Sequence, residues 1–585
     1  MQYPKLTELK TSRQIVDTFR GYNHNLRISG SEFFDMKNMT SDYYPILSPR
    51  GKRGVHVTAD APGGLIAKDG LCYVDGTDFV VNDKRVALGL STKEEDCPKR
   101  LTSMGAYVII MPDKMYVNTM NLGDFGHIEA SVTTTEDVTF ELCTITGDAY
   151  KDATVSSTAP ANPQNLDLWI DTSAEPNTLK RYSASGEMWV SIATTYIKIS
   201  SPGIGKGFKA YDGVTISGIA DAALNNLNGT MALWGCGEDY IVVVGILNKV
   251  TTQAKADGAI KIERRMPNMD FIIESENRLW GCRYGTAANG EMVNEIYASK
   301  MGDFRNWNCF MNLSTDSYSA SCGTDGPFTG AITHLGYPLF FKENCVHKVY
   351  GNYPANYQIQ STACRGVQRG SDRSLAIVNE TLFYKSRGAV CAYDGSLPTE
   401  TSYALGNEQY SDAVAGSHGN KYYISMRDTA GDYHLFIYDV AKGMWHREDN
   451  LHADCFCSCR GEMYCIEHGG KEIITMLGSG EQDNKRVEWM VHTGPIGTDM
   501  PDMKYISRLT IRMSLALGTR VRILGQYDSI GGWEHLCTIT GTNLRSFSIP
   551  IRPRRCDHLR LRIEGEGDAR IYSYTKTIEQ GSEIS

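Results

Sequence analysis

Long apolar runs, extended helical periodicity and an excess of positive charge are all missing from this sequence. The longest apolar stretch, the eight residues from Tyr240 to Leu247, falls far short of the roughly 20 that a bilayer-spanning helix needs, so no stable membrane insertion is expected. Lys and Arg number 59 against 68 Asp and Glu, a net charge of −9, which excludes a protein that coats nucleic acid in bulk. The first residues, MQYPKLTELKTSRQ, lack the apolar core of a secretion signal, so synthesis in a reducing cytoplasm is expected. The 16 cysteines, scattered from Cys72 to Cys556, then read as free thiols rather than a disulfide framework. Helical periodicity is confined to Ser12–Phe19 and Asp221–Leu227. Proline is sparse at 19, beside 57 Gly and 32 Tyr. That balance favours short strands and tight turns.

What is present is a repeat. A turn residue, one or two polar residues and an apolar or aromatic pair recur at Glu276–Trp280, Leu335–Phe340, Val378–Phe383, His418–Tyr423 and Arg460–Tyr464. The turn residues Asn277, Gly336, Asn379, Gly419 and Gly461 lie 59, 43, 40 and 42 residues apart, close to the ~40–50 of a four-stranded propeller blade. Lys68–Tyr73 and Thr102–Tyr107 have the same form. Hairpin dipeptides Asp75-Gly76, Asp394-Gly395 and Gly469-Gly470 supply a second turn. An all-β chain follows, with a β-propeller of about six to seven blades. Two stacked sandwiches are the alternative and leave the spacing unexplained.

With 585 residues the chain is long enough for several domains. Residues 1–55 lack the repeat and read as an extended arm. Residues 56–127 open the propeller, and 128–216 read as a small inserted β-module, rich in Thr, Ser, Ala and Pro before an aromatic block. Residues 217–482 complete the propeller, and 483–585 alternate as a C-terminal β-sandwich with strands at 505–513, 519–527, 533–540, 545–551, 557–564 and 569–577.

Chemistry-bearing motifs are few. G-x-S-x-G, H-E-x-x-H and G-x(4)-G-K-[ST] are absent, and Gly203–Gly207 has no following helix to make a phosphate cradle. Cys455, Cys457 and Cys459, followed by Cys465 and His468, are the most metal-like cluster. Their i, i+2, i+4 spacing puts the first three on one face of a strand, a packing pattern rather than a zinc loop, and no catalytic residue, metal or cofactor is expected. Arg552, Arg554, Arg555, Arg560 and Arg562 form a basic edge suited to carboxylate or phosphate. Trp169, Tyr182 and Trp189 either fill the core of the insert or stack on sugar rings. In the arm, Phe33, Phe34, Tyr43 and Tyr44 must be buried against something, and Arg50 and Arg53 are placed to reach carboxylates.

The opening segment, Phe19-Arg20-Gly21-Tyr22-Asn23 with Glu32 through Arg53, resembles that of tailed-phage structural proteins of the tail-nozzle or "stabilization" kind. The block Pro553–Gly565 and the insert Trp169–Ser173, Lys180–Tyr182 and Trp189 resemble modules of the same proteins. The resemblance implies a non-enzymatic virion subunit at the tail or head–tail junction. It would repeat in a ring, by resemblance a homo-hexamer, through which DNA passes, and would contact portal, adaptor, other tail or fibre proteins. The arm would then strap onto a neighbouring ring component. The alternative is a glycan-binding or glycan-cleaving β-propeller acting at a host surface, with its site at the central channel.

Overall fold

The computed structural model describes residues 10–580 apart from 174, 288, 501 and 502. Strands dominate it, and the only helical segments among the described residues are six short 3-10 turns. The helix expected at Ser12–Phe19 is instead the strand Thr11–Val16, and that at Asp221–Leu227 is a 3-10 turn over Ala222–Leu227. The Asp221 carboxylate caps the latter by accepting from the Ala223 amide at 2.9 Å.

Seven four-stranded antiparallel sheets follow one another as blades. Their innermost strands are Pro62–Ala67, Arg100–Met104, Phe271–Ser275, Gly330–His334, Ala376–Val378, Ser411–His418 and Ala453–Cys459. Each of the seven repeat units read from the sequence is the turn joining the first two strands of one blade. Asn277, Asn379, Gly105, Gly336, Gly419 and Gly461 take positive φ there, which explains the choice of Gly and Asn.

Neighbouring blades pack face to face through apolar layers. Phe79 and Val81 of the first meet Val108 and Ile110 of the second; Leu339 and Phe341 of the fourth meet Leu382 and Tyr384 of the fifth. Tyr73 and Val80 of the first also meet Ile466 and Ile473 of the seventh, so the layers close into a ring. The seventh blade takes its outer strand from before the first: Gly54–Thr58 pairs antiparallel with Glu472–Thr475. Gly54 is obligatory there, because a Cβ would stand 2.0 Å from the Ser479 carbonyl oxygen.

The insert between the second and third blades is larger than expected. Ala130–Thr133 pairs with Lys261–Arg264, which pairs with Gly213–Ser217. A five-stranded sheet containing Val138–Cys143, Tyr196–Ser200 and Tyr240–Val244 faces it across a common core of Val, Ile, Leu and Phe. The boundary at 216 therefore moves to about Arg264. Strands read as propeller between 217 and 264 belong to this double sheet: Thr251–Gln253 and Lys261–Arg264 pair with strands before the aromatic block, and Gly229–Ala232 and Tyr240–Val244 with Gly213–Ser217 and Tyr196–Ser200. That block forms a separate small sheet from Thr154–Ser156 to Met188–Ser191.

Six C-terminal strands and two from the N-terminal arm form one curled, eight-stranded sheet around Trp489, Leu509, Ile511, Val521 and Ile563. Its spine, Lys504–Tyr527, is continuous where the sequence suggested two strands. It pairs along its length with Glu534–Ile549, and successively with Ala569–Gln580 and Leu559–Glu566.

The N-terminal arm is not a free strap. Thr11–Val16 adds to Ala569–Gln580 and Phe33–Lys37 to Glu488–Thr493. Phe33 is 1% exposed in the core shared by this sheet, the arm and the sixth blade. The arm's aromatics are thus satisfied largely within the chain, and no neighbouring subunit is needed to cover Phe33. Tyr43 and Tyr44 remain 45% and 41% exposed, with Arg570 stacked on the Tyr43 ring at 4.3 Å.

Candidate functional site at the propeller hub

All seven blades bring their inner strands to the axis, and a cavity of about 320 Å³ opens there. Its apolar wall comes from residues such as Leu65, Leu101, Ile272, Ala331, Val414 and Phe456. Alternation places every second residue of an inner strand toward one neighbouring blade and the rest toward the other. Polar groups therefore collect where chains enter these strands, at Lys99, Arg100, Asp372 and Arg373.

Those four groups span the hub. Arg100 reaches from the second blade to the Asp372 carboxylate at 2.8 Å and to the Asp270 carbonyl at 2.9 Å. Its guanidinium lies 4.7 Å from the centre of the Phe271 ring, a cation–π contact. Arg373 donates to the Asp454 carbonyl at 2.9 Å and to the Pro98 carbonyl at 2.5 Å, tying the turn before the fifth blade to the seventh and second. Burial pulls its pKa down from the ordinary guanidinium value, with Asp372 opposing. Lys99 is buried against Asp113 at 2.7 Å.

Among the described lining residues the cations are Lys99, Arg100 and Arg373 and the carboxylate is Asp372, with Lys99 already paired to Asp113 behind the wall. A hydrolase of the usual two-carboxylate kind needs a second. The arrangement is suited to holding a compact anionic ligand with an apolar face, because guanidinium groups on an aromatic floor offer forked donors and a platform together.

The residues singled out from the sequence lie elsewhere. Trp169, 6% exposed, is a core residue of the insert's small sheet: its indole Nε1 donates to the Ser156 carbonyl at 3.0 Å. Lys180 sits over its ring at 4.7 Å while pairing with Asp171 at 2.7 Å. Trp189 packs edge-on against Trp169 and Tyr182, with centroids 5.4 and 5.3 Å apart, and both Trp189 and Tyr182 are half-buried. In the basic edge, Arg554 forms a two-pronged pair with Glu534 at 2.7 and 2.8 Å. Arg562 pairs with Glu564 at 2.9 Å, and Arg560 lies over Phe34 at 5.6 Å. Arg552 and Arg555 are exposed. The edge is therefore partly neutralised by its own carboxylates.

Arg50 and Arg53 do reach carboxylates, those of Glu448 and Asp449 in the same chain. In the cysteine cluster, burial pushes Cys455 and Cys457 up to about 12. Burial thus favours the neutral thiol form at both positions. Sequence reasoning missed the hub because its four groups come from two distant segments. The only signal was that Lys99-Arg100 stands at the start of an inner strand and Asp372-Arg373 shortly before another.

No family model matches the chain, and no curated protein matches it. Solved structures do. An exo-β-1,3-galactanase from Phanerochaete chrysosporium, solved with galactose, is 8% identical over 52% of this chain and 94% of its own, with a TM-score of 0.22. A sialidase from Trypanosoma rangeli is 9% identical over 98% and 96%, at 0.21. Raptor from Chaetomium thermophilum is 9% identical over 74% and 30%, at 0.26.

Two of these three are glycan-directed enzymes, and none is a virion protein. The expectation of a non-enzymatic virion ring subunit is therefore not carried further. At such low TM-scores the likeness carries no argument about this chain's substrate or its residues. Those must come from the hub itself.

Proposed function

We propose that this chain is a glycan-directed β-propeller that receives an acidic saccharide in its hub cavity. The observation that supports it is that Arg100, stacked on Phe271 and reaching Asp372, lines with Arg373 a cavity of about 320 Å³. That volume lies at the lower end of ligand pockets, roughly 300–1,000 Å³, and suits a sugar unit or two. A carboxylate or sulfate on the sugar would compete with Asp372 for Arg100. Phe271 and Ile272 would meet the apolar face of the ring. If a glycosidic bond is cut here, Asp372 is the lining carboxylate at which proton transfer would begin.

The test is a glycan array probed with the full chain and with Arg100→Ala, followed by assay of released reducing ends on whatever acidic oligosaccharides are retained. Arg100 is exposed enough at its tip to be removed without opening the core. Selective retention of acidic glycans, lost in Arg100→Ala, is expected. Absence of glycan binding, or binding unchanged in the variant, would sink the reading.

A further inference from the structure

His468 does not join the cysteines near it in sequence. It stands beside His452 and Asp454, at the open end of the same hairpin. His452 directly precedes the inner strand Ala453–Cys459 of the seventh blade, Asp454 is that strand's second residue, and His468 directly follows Glu462–Glu467. Strand pairing fixes the three together, and the His468 amide donates to the His452 carbonyl at 2.8 Å. The two imidazoles stack with centroids 4.2 Å apart. His468 Nδ1 lies 2.9 Å from Asp454 Oδ1, and one ligand atom from each of the three residues falls within 4.8 Å of the others.

We propose that His452, Asp454 and His468 form a binding site for a divalent transition metal, with zinc as its natural class of ion. Two imidazole nitrogens and one carboxylate oxygen are a borderline donor set that suits zinc better than calcium or magnesium. Three protein ligands leave a coordination position open to water or to a ligand atom. The surroundings orient the ligands: Tyr433 of the sixth blade stacks on the His452 ring at 3.5 Å, and the Asp454 carbonyl is held by Arg373. The site therefore adjoins the hub and shares with it the backbone of Asp454. This inference stands on the hairpin's geometry and not on the glycan reading.

Chelator-treated full-length chain should be titrated with zinc chloride by calorimetry, alongside His468→Gln and Asp454→Asn. One equivalent should bind saturably to the wild type, and each variant should bind about tenfold or more weakly. His468 is solvent-exposed and Asn preserves the shape of Asp454, so at least one variant will remain folded, as thermal unfolding will report. Cobalt(II) substituted for zinc should show visible d–d bands without a thiolate charge-transfer band. No saturable binding, undiminished binding in the folded variants, or a thiolate band that moves the metal to the cysteines would overturn the proposal.

Discussion

Arg53 grips Asp449 with both arms of its guanidinium, Nη1 lying 2.8 Å from Oδ2 and Nη2 3.1 Å from Oδ1. Glu448 takes a further contact at 2.8 Å, and Arg50 closes the cluster from the other side at 3.3 Å. These four groups hold the end of the N-terminal segment to the loop between the sixth and seventh blades. That is the point at which Gly54–Thr58 must leave to complete the ring. Burial alone would lower the Arg53 pKa, but Asp449 and then Glu448 raise it above the ordinary guanidinium value. The gain from pairing exceeds the loss of water.

Replacing Arg53 by Met leaves buried Glu448 and half-buried Asp449 with Arg50 alone, 3.3 Å from each. The expected loss is about 3–5 kcal/mol, the usual cost of breaking a buried pair from one side. Urea unfolding of wild type and Arg53→Met measures it; a change below about 1 kcal/mol would mean that water repairs the cluster.

The same cluster sets an acid limit. Burial pushes the Asp449 carboxyl up, but Arg53 and then Arg50 outweigh it and hold it below the ordinary carboxylate value. The folded value being the lower one, ionised Asp449 stabilises the fold above roughly pH 3.9, the unfolded value. That contribution is lost as the pH falls through the lower folded value. The stability gap between wild type and Asp449→Asn should therefore be constant near neutrality and narrow on acidification. A gap that widens in acid would contradict the pairing.

Gly54→Ala tests ring closure. The added methyl would meet backbone, the Ser479 carbonyl oxygen, and not the end of a flexible side chain. The closing strand must shift, at an expected cost of about 1–3 kcal/mol. Hydrogen exchange should show lost protection in Glu472–Thr475 while the insert is unchanged.

The insert should be separable. Its sheets share a core of their own, but Asp212 also pairs with Arg264 at 2.6 Å and accepts from Asn306, next to the third blade, at 3.0 Å. Replacing residues 130–264 by a short Gly/Ser linker should leave a cooperative thermal transition for the propeller. Asp212→Ala in the intact chain should increase proteolysis between the insert and the third blade. Collapse of the transition in the deletion would make the insert part of the ring's core.

The propeller was legible because its signal is local: a Gly or Asn with positive φ between two short strands, repeated seven times. The extent of the insert was not. Lys261–Arg264 looks like any half-buried strand, and only its pairing with Ala130–Thr133 shows which body it joins. The arm misled for a related reason. Phe33 was rightly expected to need cover, but periodicity cannot say whether that cover is another subunit or Val491 and Trp445 of the same core. The hub was invisible, since Arg100 and Asp372 meet only when seven blades converge. The aromatic block was read in two ways, and the Nε1 bond of Trp169 to Ser156 gives that ring a packing role.

The outer strand of the seventh blade has a consequence for how the molecule comes into being. Residues 54–58 leave the ribosome before any blade exists, yet their hydrogen-bonding partner, 472–475, is translated only after six blades have been made. Thr11–Val16 waits longer still, for a strand that ends at Gln580. At no stage of synthesis short of the last blade can the circle lock. Until then both ends of the growing stack expose an apolar blade face and Gly54–Thr58 stays unpaired, which invites wrong partners. Pairing the earliest residues with the latest gives a high contact order and a slow final step, so the finished molecule is reached by a single late event that joins its two ends.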